Sequence, residues 1–284
     1  GVLRDLAQQH GALTLSELMR FRDPAEAGAT LAARDGDSSA IGFWLDNDRL
    51  HAVAQLAGVD TVVDAWHTDT TAGRESLMIA PTRDLVLQLN EAARNRTGID
   101  RTTEQPLRDG QTASVGDLII TRHNNRKLRI SATDFVKNGD RWTVTGLAGD
   151  GALTVQHRGS GRMLRLPADY VAQHVDLGYA VTVHGAQGAT VDTCHAIFAG
   201  VETRQLAYVA TSRGREANHL YVLVGGSGDE HDAIRPEVLS PATAVETIET
   251  ILGRDGSQTS ATTSISVEHD PAAWLGRIVA IYTD

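Results

Sequence analysis

The feature that most constrains the fold of this chain is a change of sequence pattern between residues 110 and 172. Before it, the apolar run Ser76–Ala80 (SLMIA) is typical of a buried strand, and Thr82 caps a helix with Asp84 in its first turn. The same order of strand and helix returns after it. The later elements are strands at Cys194–Phe198 and His219–Val224 around a helix near Glu202–Ser212. This alternation predicts an α/β domain.

Inside the changed region, short β runs alternate with turn signals. The runs are Leu118–Thr121, Trp142–Gly146, Leu153–His157 and Met163–Leu166. The turn signals are Asn138-Gly139-Asp140, Gly149-Asp150-Gly151 and Gly159-Ser160-Gly161. This pattern predicts a small antiparallel β-barrel inserted into the α/β domain.

Helical patterns occupy the remaining parts of the chain. An apolar face predicts a helix over residues 1–9, and Asp23 followed by Pro24 predicts a helix that stops before Gly36. A further helical stretch is predicted from Val53 to Trp66. The first part of the α/β domain, with its entry helices, is predicted at 1–108, the barrel at 109–174 and the second part of the α/β domain at 175–226. A tail follows at 227–284, with a Ser/Thr/Gly-rich linker at 253–270 and a short helix from Pro271.

Composition excludes several classes of protein. The 284 residues are 41% hydrophobic with a formal net charge of −10, which supports a buried core and excludes a strongly basic protein that coats nucleic acid. No apolar run reaches the ~20 residues that span a bilayer, and no secretory signal is present, so we expect a cytoplasmic protein. The single cysteine, Cys194, excludes an internal disulfide. Lys127 and Lys137 are the only lysines, and we interpret this arginine bias as that of a GC-rich genome.

Two segments combine glycine with hydrogen-bonding side chains. The first, Tyr179–Asp192 (YAVTVHGAQGATVD), places Thr182, His184 and Gln187 on a tight turn closed by glycines. Small residues beside such side chains let another backbone approach, and a phosphodiester chain is one candidate.

The second segment, Leu206–Leu223 (LAYVATSRGREANHLYVL), places Arg213 and Arg215 between a helix and a strand. Arginine at such a junction can present its planar guanidinium group to a phosphate.

Each of these patterns also has a structural interpretation. The glycines can simply shape the turn, His184 can be a structural histidine, and the two arginines can form surface salt bridges with Glu216. Cys194 and His195 look like a nucleophile pair, but adjacent strand residues point to opposite faces. The chain has no CxxC pattern and its histidines lack the spacing of a metal motif, which argues against a zinc site.

These segments together resemble a known family. TVHGAQGATVD resembles motif V, and YVATSRGRE motif VI, of superfamily 1 helicases of the RecD-like branch. The predicted barrel just before motif V resembles their inserted 2B subdomain, which has a Src-homology-3-like form. LSELMRFRDPAEAGATLAARDGD is similar to the segment that contains the motif IV arginine, and SLMIAPTRDLVLQLNEAAR to the start of the nucleic-acid-facing half of the second motor domain. Over about residues 1–225 the chain is most similar to the helicase part of conjugative relaxases of the MobF (TraA/TrwC/TraI) class.

The resemblance implies a second RecA-like motor domain (2A) of an ATP-driven helicase that moves 5′→3′ along single-stranded DNA. Arg213 matches the motif VI arginine finger, which stabilises charge on the transferred phosphoryl group. Arg20 matches the motif IV arginine that senses the γ-phosphate, with Arg22 as an open alternative. Gly188 and Arg215 are expected at the same nucleotide site.

The resemblance also implies a path for DNA. Thr182, His184 and Gln187 match the motif V positions that contact the single strand. A basic cluster on the predicted barrel is a candidate for steering DNA across it, or else a solvated hairpin. Its members named as DNA-binding candidates are Arg122, Arg126, Lys127 and Arg129. Trp142 and Tyr170 are more typical of core packing than of a base-stacking platform.

The sequence contains no GxxxxGK[ST] phosphate loop. In the family that the chain resembles, the phosphate loop and the Mg²⁺-binding acidic motif lie in a first motor domain. The resemblance therefore implies that ATP and Mg²⁺ are bound mainly by such a domain of the same polypeptide, that a relaxase domain accompanies it, and that this chain begins just after that motor domain. Alone, the chain is expected to bind no cofactor and to hydrolyse no ATP. Two other hypotheses stay open: a non-catalytic helicase-derived module that binds single-stranded DNA or a protein, and an unrelated α/β hydrolase-like enzyme that uses Cys194 and a histidine.

Overall fold

A computed structural model describes residues 19–225 and 243–256 of the chain. Contacts divide the chain into two units, Gly1–Met19 with Asp255–Asp284, and Arg20–Arg254. The fold described here is that of the second unit. The helices predicted over residues 1–9 and from Pro271, with most of the predicted linker, lie outside the described residues.

Strands and helices alternate on either side of an all-β insertion. The helices are α1 Pro24–Asp35, α2 Ser39–Asp46, α3 Gly58–Thr71, α4 Arg83–Thr97, α5 Ala168–His174, α6 Arg204–Ala210 and α7 Ala244–Gly253. The strands are β1 Leu50–Ala54, β2 Ser76–Ala80, β3 Gln105–Pro106, β4 Thr112–Ala113, β5 Leu118–Thr121, β6 Asn125–Arg129, β7 Phe135–Val136, β8 Arg141–Leu147, β9 Leu153–His157, β10 Met163–Leu166, β11 Val175–Leu177, β12 Ala180–Thr182, β13 Val191–Phe198 and β14 Gly214–Val224. Within the described ranges, no helix is long and apolar enough to cross a membrane.

The main sheet has five parallel strands in the order β1-β14-β13-β2-β12. Every residue of β2 is buried, and its side chains alternate between the two faces of the sheet. Met78 and Ala80 pack in one apolar cluster with α3 and α4, while Leu77 and Ile79 pack in another with α1, α2, α6 and α7. Helices therefore cover both faces, as the α/β pattern predicts.

Local capping explains why α1 and α4 begin where the sequence predicts. The Asp23 carboxylate accepts a hydrogen bond from the backbone N–H of Ala25 at 2.8 Å, and the Thr82 hydroxyl accepts one from Leu85 at 3.3 Å. Helix α1 ends at Gly36, whose φ of 84° is a left-handed cap.

The inserted strands form a second, antiparallel sheet in the order β10-β9-β8-β5-β11, with two small hairpins, β3–β4 and β6–β7. Strand β11 pairs with β5, so the insertion continues to Leu177, past the boundary predicted at residue 174. Trp142 and Tyr170 are both buried in it, which is their expected core role. The closed, Src-homology-3-like form of this insertion stays a prediction.

Buried polar contacts fasten the inserted sheet to the α/β domain. Arg94 of α4 donates to Asp117 at 2.9 Å, and the Tyr179 hydroxyl donates to the same carboxylate at 2.6 Å. All three side chains are buried, and burial together with the nearby Asp117 charge raises the pKa of the Tyr179 hydroxyl. Because a buried ion pair is costly to break, this contact holds the insertion against α4.

Several elements differ from the sequence predictions, including the following three. Val53, expected in a helix, lies in strand β1, because residues of an edge strand can be spaced in sequence like a helix face. Helix α2 was not predicted, although its Trp44 is almost fully buried. Helix α7 lies inside the segment predicted as a tail, and buries Ile248, Ile251 and Leu252 against the main sheet's apolar cluster.

Candidate functional site

Arg213 lies on the turn that joins α6 to β14, and its side chain is held by its own helix. Its Nε donates to the carbonyl oxygen of Val209 at 2.9 Å, and its Nη2 donates to the Ser212 hydroxyl at 2.6 Å. The residue is only 7% exposed. Burial lowers the pKa of the Arg213 guanidinium, and the nearby charge of Arg20 lowers it further.

Arg20 approaches this turn from the chain segment before α1. Its Nη1 donates a hydrogen bond to the carbonyl oxygen of Ser212, next to Arg213 in the chain. Among the residues that the structure describes, no carboxylate forms an ion pair with Arg20 or with Arg213. Two guanidinium groups close together without a carboxylate form a site that a phosphate could complete.

Two neighbouring arginines differ in this respect. Arg22 forms an ion pair with Glu216, and its backbone N–H donates to the carbonyl oxygen of Arg215 at 2.8 Å. Arg215 forms an ion pair with Asp192 at 3.1 Å. These contacts favour Arg20 over Arg22 for the predicted phosphate contact, and they give the charge of Arg215 a partner within the protein.

The segment between β12 and β13 leads from the edge strand to the central strand of the sheet, and from the carboxyl end of the parallel strands to their amino end. Thr182 pairs with Ala80, the last residue of β2. The first residue of β2, Ser76, pairs with Thr193 of β13, two residues after Val191. At its start, the Thr182 hydroxyl accepts from the backbone N–H of Gly185 at 3.1 Å. At its end, the Val191 N–H donates to the carbonyl oxygen of Arg213 at 3.1 Å. The crossover therefore joins Thr182 to the Arg213 turn.

The crossover exposes the side chains that the motif V resemblance singles out. His184 begins a single 3₁₀ turn, His184–Ala186, and the buried Ala186 anchors that turn. His184, Gln187 and Gly188 are exposed, and Gly188 has a φ of 90°, a conformation that favours glycine. An external strand could reach these groups.

A cleft of about 540 Å³ opens beside Thr182, between α4 and the inserted sheet. Its ion pairs centre on Asp176, which accepts from Arg108 and Arg122 at 2.7 Å each. Burial raises the pKa of this carboxyl, but the two arginines outweigh burial and lower it overall. The Arg122 guanidinium also lies 3.1 Å from the position that a Cβ on residue 185 would take, so it packs closely against Gly185. Arg122 thus links the insertion to the crossover, and its charge is offset by Asp176.

The remaining members of the basic cluster are on the β6–β7 hairpin. Arg126, Lys127 and Arg129 are exposed, and among the described residues none of them is ion-paired. The Arg126 guanidinium lies 5.2 Å from the centre of the Phe135 ring, and Arg129 Nη1 donates to the Ala132 carbonyl at 2.8 Å. The hairpin presents these three charges to solvent.

Cys194 and His195 do not form a nucleophile pair. Cys194 is fully buried, its thiol lies 3.5 Å from the Ala210 carbonyl oxygen, and burial raises its pKa to about 12. His195 points to the other face, where its ring nitrogens hydrogen-bond Asp69 at 2.9 Å and Tyr221 at 3.1 Å. The geometry gives no support to a thiol enzyme. In the part of the chain that the structure describes, no group of three or more His, Cys, Asp or Glu side chains is arranged to hold a metal ion.

Two residues that the sequence analysis did not select, Glu26 and Asn218, hold the Arg213 turn in place. Asn218 Oδ1 accepts from the backbone N–H groups of Arg213 at 3.1 Å and Gly214 at 2.7 Å. Glu26 of α1 accepts in turn from Asn218. Glu26 and Asn218 lie 192 residues apart in the chain, so no local sequence signal identifies the contact between them.

Comparison with known proteins places these features in a family context. A family model described as an AAA domain matches residues 1–55. An uncharacterised protein of Mycobacterium tuberculosis (strain H37Rv) is 33% identical over 101 residues, which are 35% of this chain and 58% of that protein. The probable conjugal transfer protein TraA of Sinorhizobium fredii is 28% identical over 77% of this chain and 20% of its own length. The multifunctional conjugation protein TraI of Escherichia coli is 29% identical over 68% of this chain and 10% of its own length.

The fold is similar to a helicase of known structure. A crystal structure of the Pif1 helicase from Bacteroides, in complex with ADP-AlF₃ and single-stranded DNA, matches with a TM-score of 0.51 and 16% identity. The match covers 74% of this chain and 51% of that one. The similarity shows a shared mixed α/β motor-domain fold.

Proposed function

Because this chain is related to superfamily 1 helicases, and among them to conjugative relaxases of the MobF class, we propose that it supplies the second motor half of a conjugative DNA helicase. The complete enzyme would use ATP and Mg²⁺ to move 5′→3′ along single-stranded DNA. The first motor domain, and a relaxase domain of the same polypeptide, would be its partners.

The observation that best supports this function is the pairing of Arg20 with Arg213 on one turn, away from carboxylates among the described residues. Charge builds up on the transferred phosphoryl group during hydrolysis, and fixed cations stabilise it. Arg213 is held by Val209 and Ser212 before any nucleotide arrives, so its orientation requires little further ordering. Mg²⁺ would be held by the first motor domain.

The crossover gives the same domain a contact for DNA. We assign the single strand to Thr182, His184 and Gln187, with Arg126, Lys127 and Arg129 of the β6–β7 hairpin as a second, weaker contact. Exposed cations without carboxylate partners attract phosphates through a salt-sensitive, sequence-independent interaction. A translocating motor needs such contacts because it must release each nucleotide in turn.

The decisive test is Arg213→Ala in the complete helicase. Loss of the finger should reduce DNA-stimulated ATP turnover by about 10³-fold or more, whereas the dissociation constant for single-stranded DNA should stay within about twofold. Turnover is measured as phosphate release, and DNA binding by fluorescence anisotropy. Arg165→Ala is the matched control, because Arg165 is an exposed arginine of the inserted sheet that pairs with Asp150. Turnover by the Arg213 variant at the control's rate would contradict the finger assignment.

The hairpin favours one alternative function. A non-catalytic helicase-derived module would keep a basic DNA-binding surface without needing the arginine pair. In that case Arg213→Ala would change neither activity nor DNA binding, while neutralising the hairpin would abolish DNA binding.

A further inference from the structure

A single buried asparagine fixes the backbone on both sides of Arg213. Asn218 is 1% exposed. Its Oδ1 accepts from the N–H groups of Arg213 and Gly214 at 3.1 and 2.7 Å, and its Nδ2 donates to the Gly214 carbonyl at 3.1 Å. Because these three hydrogen bonds all come from one buried side chain, the backbone at Arg213 has little freedom to move.

A buried carboxylate holds this asparagine from the opposite direction. Glu26 is 1% exposed, and its Oε1 accepts from both Nδ2 and the backbone N–H of Asn218 at 2.8 Å. Glu26 lies in the first turn of α1, whose cap residue Asp23 follows the segment that contains Arg20. Glu26 therefore connects the Arg20 segment to the Arg213 turn.

Stability alone is a weak explanation for a carboxylate at this place. Glu26 Oε2 has no hydrogen-bond partner among the described residues, and the nearest cation, Arg49, has its Nε 3.9 Å away. Burial raises the pKa of Glu26 against the opposing effect of Asn218 and Arg49. A well-packed apolar pair would usually be at least as stable as such a buried charge. The hydrogen bonds between Glu26 and Asn218 provide a directional contact between the segment that contains Arg20 and the Arg213 turn.

We infer that Glu26 and Asn218 are a positioning pair that sets the spacing of Arg20 and Arg213 around the terminal phosphate of ATP. The inference rests on the proposed function, because it assigns the two arginines to that phosphate. Neither Glu26 nor Asn218 touches the nucleotide; each acts through the backbone that presents an arginine. Misplacement of a catalytic group by about 1 Å can cost about 10²-fold in rate, so loss of this pair should be visible in turnover.

The test exchanges the amide of residue 218 and the carboxylate of residue 26 in the complete helicase. Asn218→Asp keeps the acceptor for Arg213 and Gly214 but turns the Nδ2 group into an oxygen that faces Glu26 Oε1. We expect kcat for DNA-stimulated ATP hydrolysis to fall about 10- to 100-fold, with KM for ATP and the DNA dissociation constant within about twofold. Adding Glu26→Gln places an amide donor opposite the new carboxylate, so the double variant should recover part of kcat. Recovery is incomplete because Glu26 Oε1 also accepts from the backbone N–H of residue 218, and because the Gly214 carbonyl loses its Nδ2 donor.

Two further variants keep the outcome interpretable if Asn218→Asp folds poorly. Glu26→Asp retains the charge but shortens the side chain by one methylene, so it should lower kcat at least about fivefold with DNA binding unchanged. Ile251→Val removes one buried methylene from α7, which supplies none of the hydrogen bonds of Arg20 and Arg213 described above, and serves as the control for a general loss of stability. Thermal unfolding is measured for every variant.

The possible results separate this inference from the proposed function. If Arg213→Ala abolishes turnover but Asn218→Asp and Glu26→Asp both keep the wild-type kcat, the positioning pair is wrong and the finger stands. If kcat falls only as far as in an equally destabilised Ile251→Val protein, or if the double variant shows no recovery, the pair has a structural role alone. If Arg213→Ala leaves turnover unchanged, the proposed function itself fails.

Discussion

Arg20 and Arg213 differ from the arginines beside them in what surrounds their charges. Arg22 and Arg215 have Glu216 and Asp192 as partners, whereas no described carboxylate pairs with Arg20 or Arg213. A buried cation without a counter-ion is costly, and burial accordingly lowers the pKa of Arg213. The motif in the sequence pointed to Arg213, but it could not distinguish Arg20 from Arg22, because the distinction depends on a contact with Glu216 far along the chain.

Gly214 is the residue where a single added carbon should do most damage to this turn. A Cβ there would lie 2.2 Å from the Ala217 carbonyl oxygen, which belongs to the backbone and cannot move aside cheaply. Gly214→Ala should therefore lower the free energy of unfolding by about 1–3 kcal/mol, measured by urea denaturation. Gly28→Ala is the control: nothing lies within 4 Å of that site in α1, so the added methyl should stabilise the helix by up to about 1 kcal/mol. Equal effects of the two substitutions would show that the turn can relax.

Three histidines lie side by side across β13, β14 and β1 on one face of the main sheet. The His195 and His219 rings stack with centroids 5.1 Å apart, and His51 Nε2 lies 3.1 Å from His219 Nδ1. Burial, and to a lesser extent His195, Arg49 and His51, lower the pKa of His219 to about 3 against the opposing effect of Asp69. His219 is therefore neutral in the folded protein at pH values where an unfolded chain would protonate it.

This depressed pKa predicts that the protein loses stability in acid. Between about pH 6.5 and pH 3, His219 is protonated in the unfolded state but stays neutral in the folded state. The free energy of unfolding therefore falls as the pH falls, by up to about 1.4 kcal/mol per pH unit for this residue. Urea denaturation across this range measures the slope. His219→Gln should reduce it, whereas His184→Gln, at an exposed histidine, should leave it unchanged. An unaltered slope in the His219 variant would mean that other groups cause the acid sensitivity.

Among the elements, those defined by local signals were predictable and those defined by distant partners were not. Strand β2 and helix α4 follow from an apolar run and a threonine cap, and both are present. Strand β1 was not predicted, and its residue Val53 was wrongly placed in a helix, since the strand depends on pairing with β14, at the other end of the domain. The contact between Glu26 and Asn218 spans 192 residues of sequence, and no local sequence pattern predicts it.

The β6–β7 hairpin is the element with the clearest prediction for DNA binding. Neutralising Arg126, Lys127 and Arg129 together with glutamine should weaken single-stranded DNA binding and flatten its dependence on salt, because fewer counter-ions are released. Anisotropy titrations at several salt concentrations measure both quantities. The matched control replaces Arg34, Arg96 and Arg101, which lie in α1, at the end of α4 and just after it. If both triple variants have the same salt slope, the hairpin is an ordinary solvated surface.

At the scale of the whole chain, the proposal predicts an incomplete catalyst. The sequence has no phosphate loop, and the described residues offer no cluster of metal ligands. The purified chain should therefore show no DNA-stimulated release of phosphate from ATP, while still binding single-stranded DNA. Addition of the first motor domain is the positive control. Robust hydrolysis by the chain alone would require a second nucleotide site and would contradict the assignment of roles between the two domains.

The crossover from β12 to β13 has a thermodynamic consequence. One end contains Thr182, and the other is hydrogen-bonded to the Arg213 backbone. In the proposed function, a DNA strand bound at the first end and a phosphate bound at the second would therefore act on a single covalent segment. Free energy is a state function, so any factor by which DNA tightens nucleotide binding must equal the factor by which the nucleotide tightens DNA binding. When hydrolysis removes the phosphate from the Arg213 end of the segment, the affinity for DNA at the Thr182 end must fall by that same factor. This short segment would therefore set the upper limit on the work that one ATP molecule can transmit through this domain to the strand.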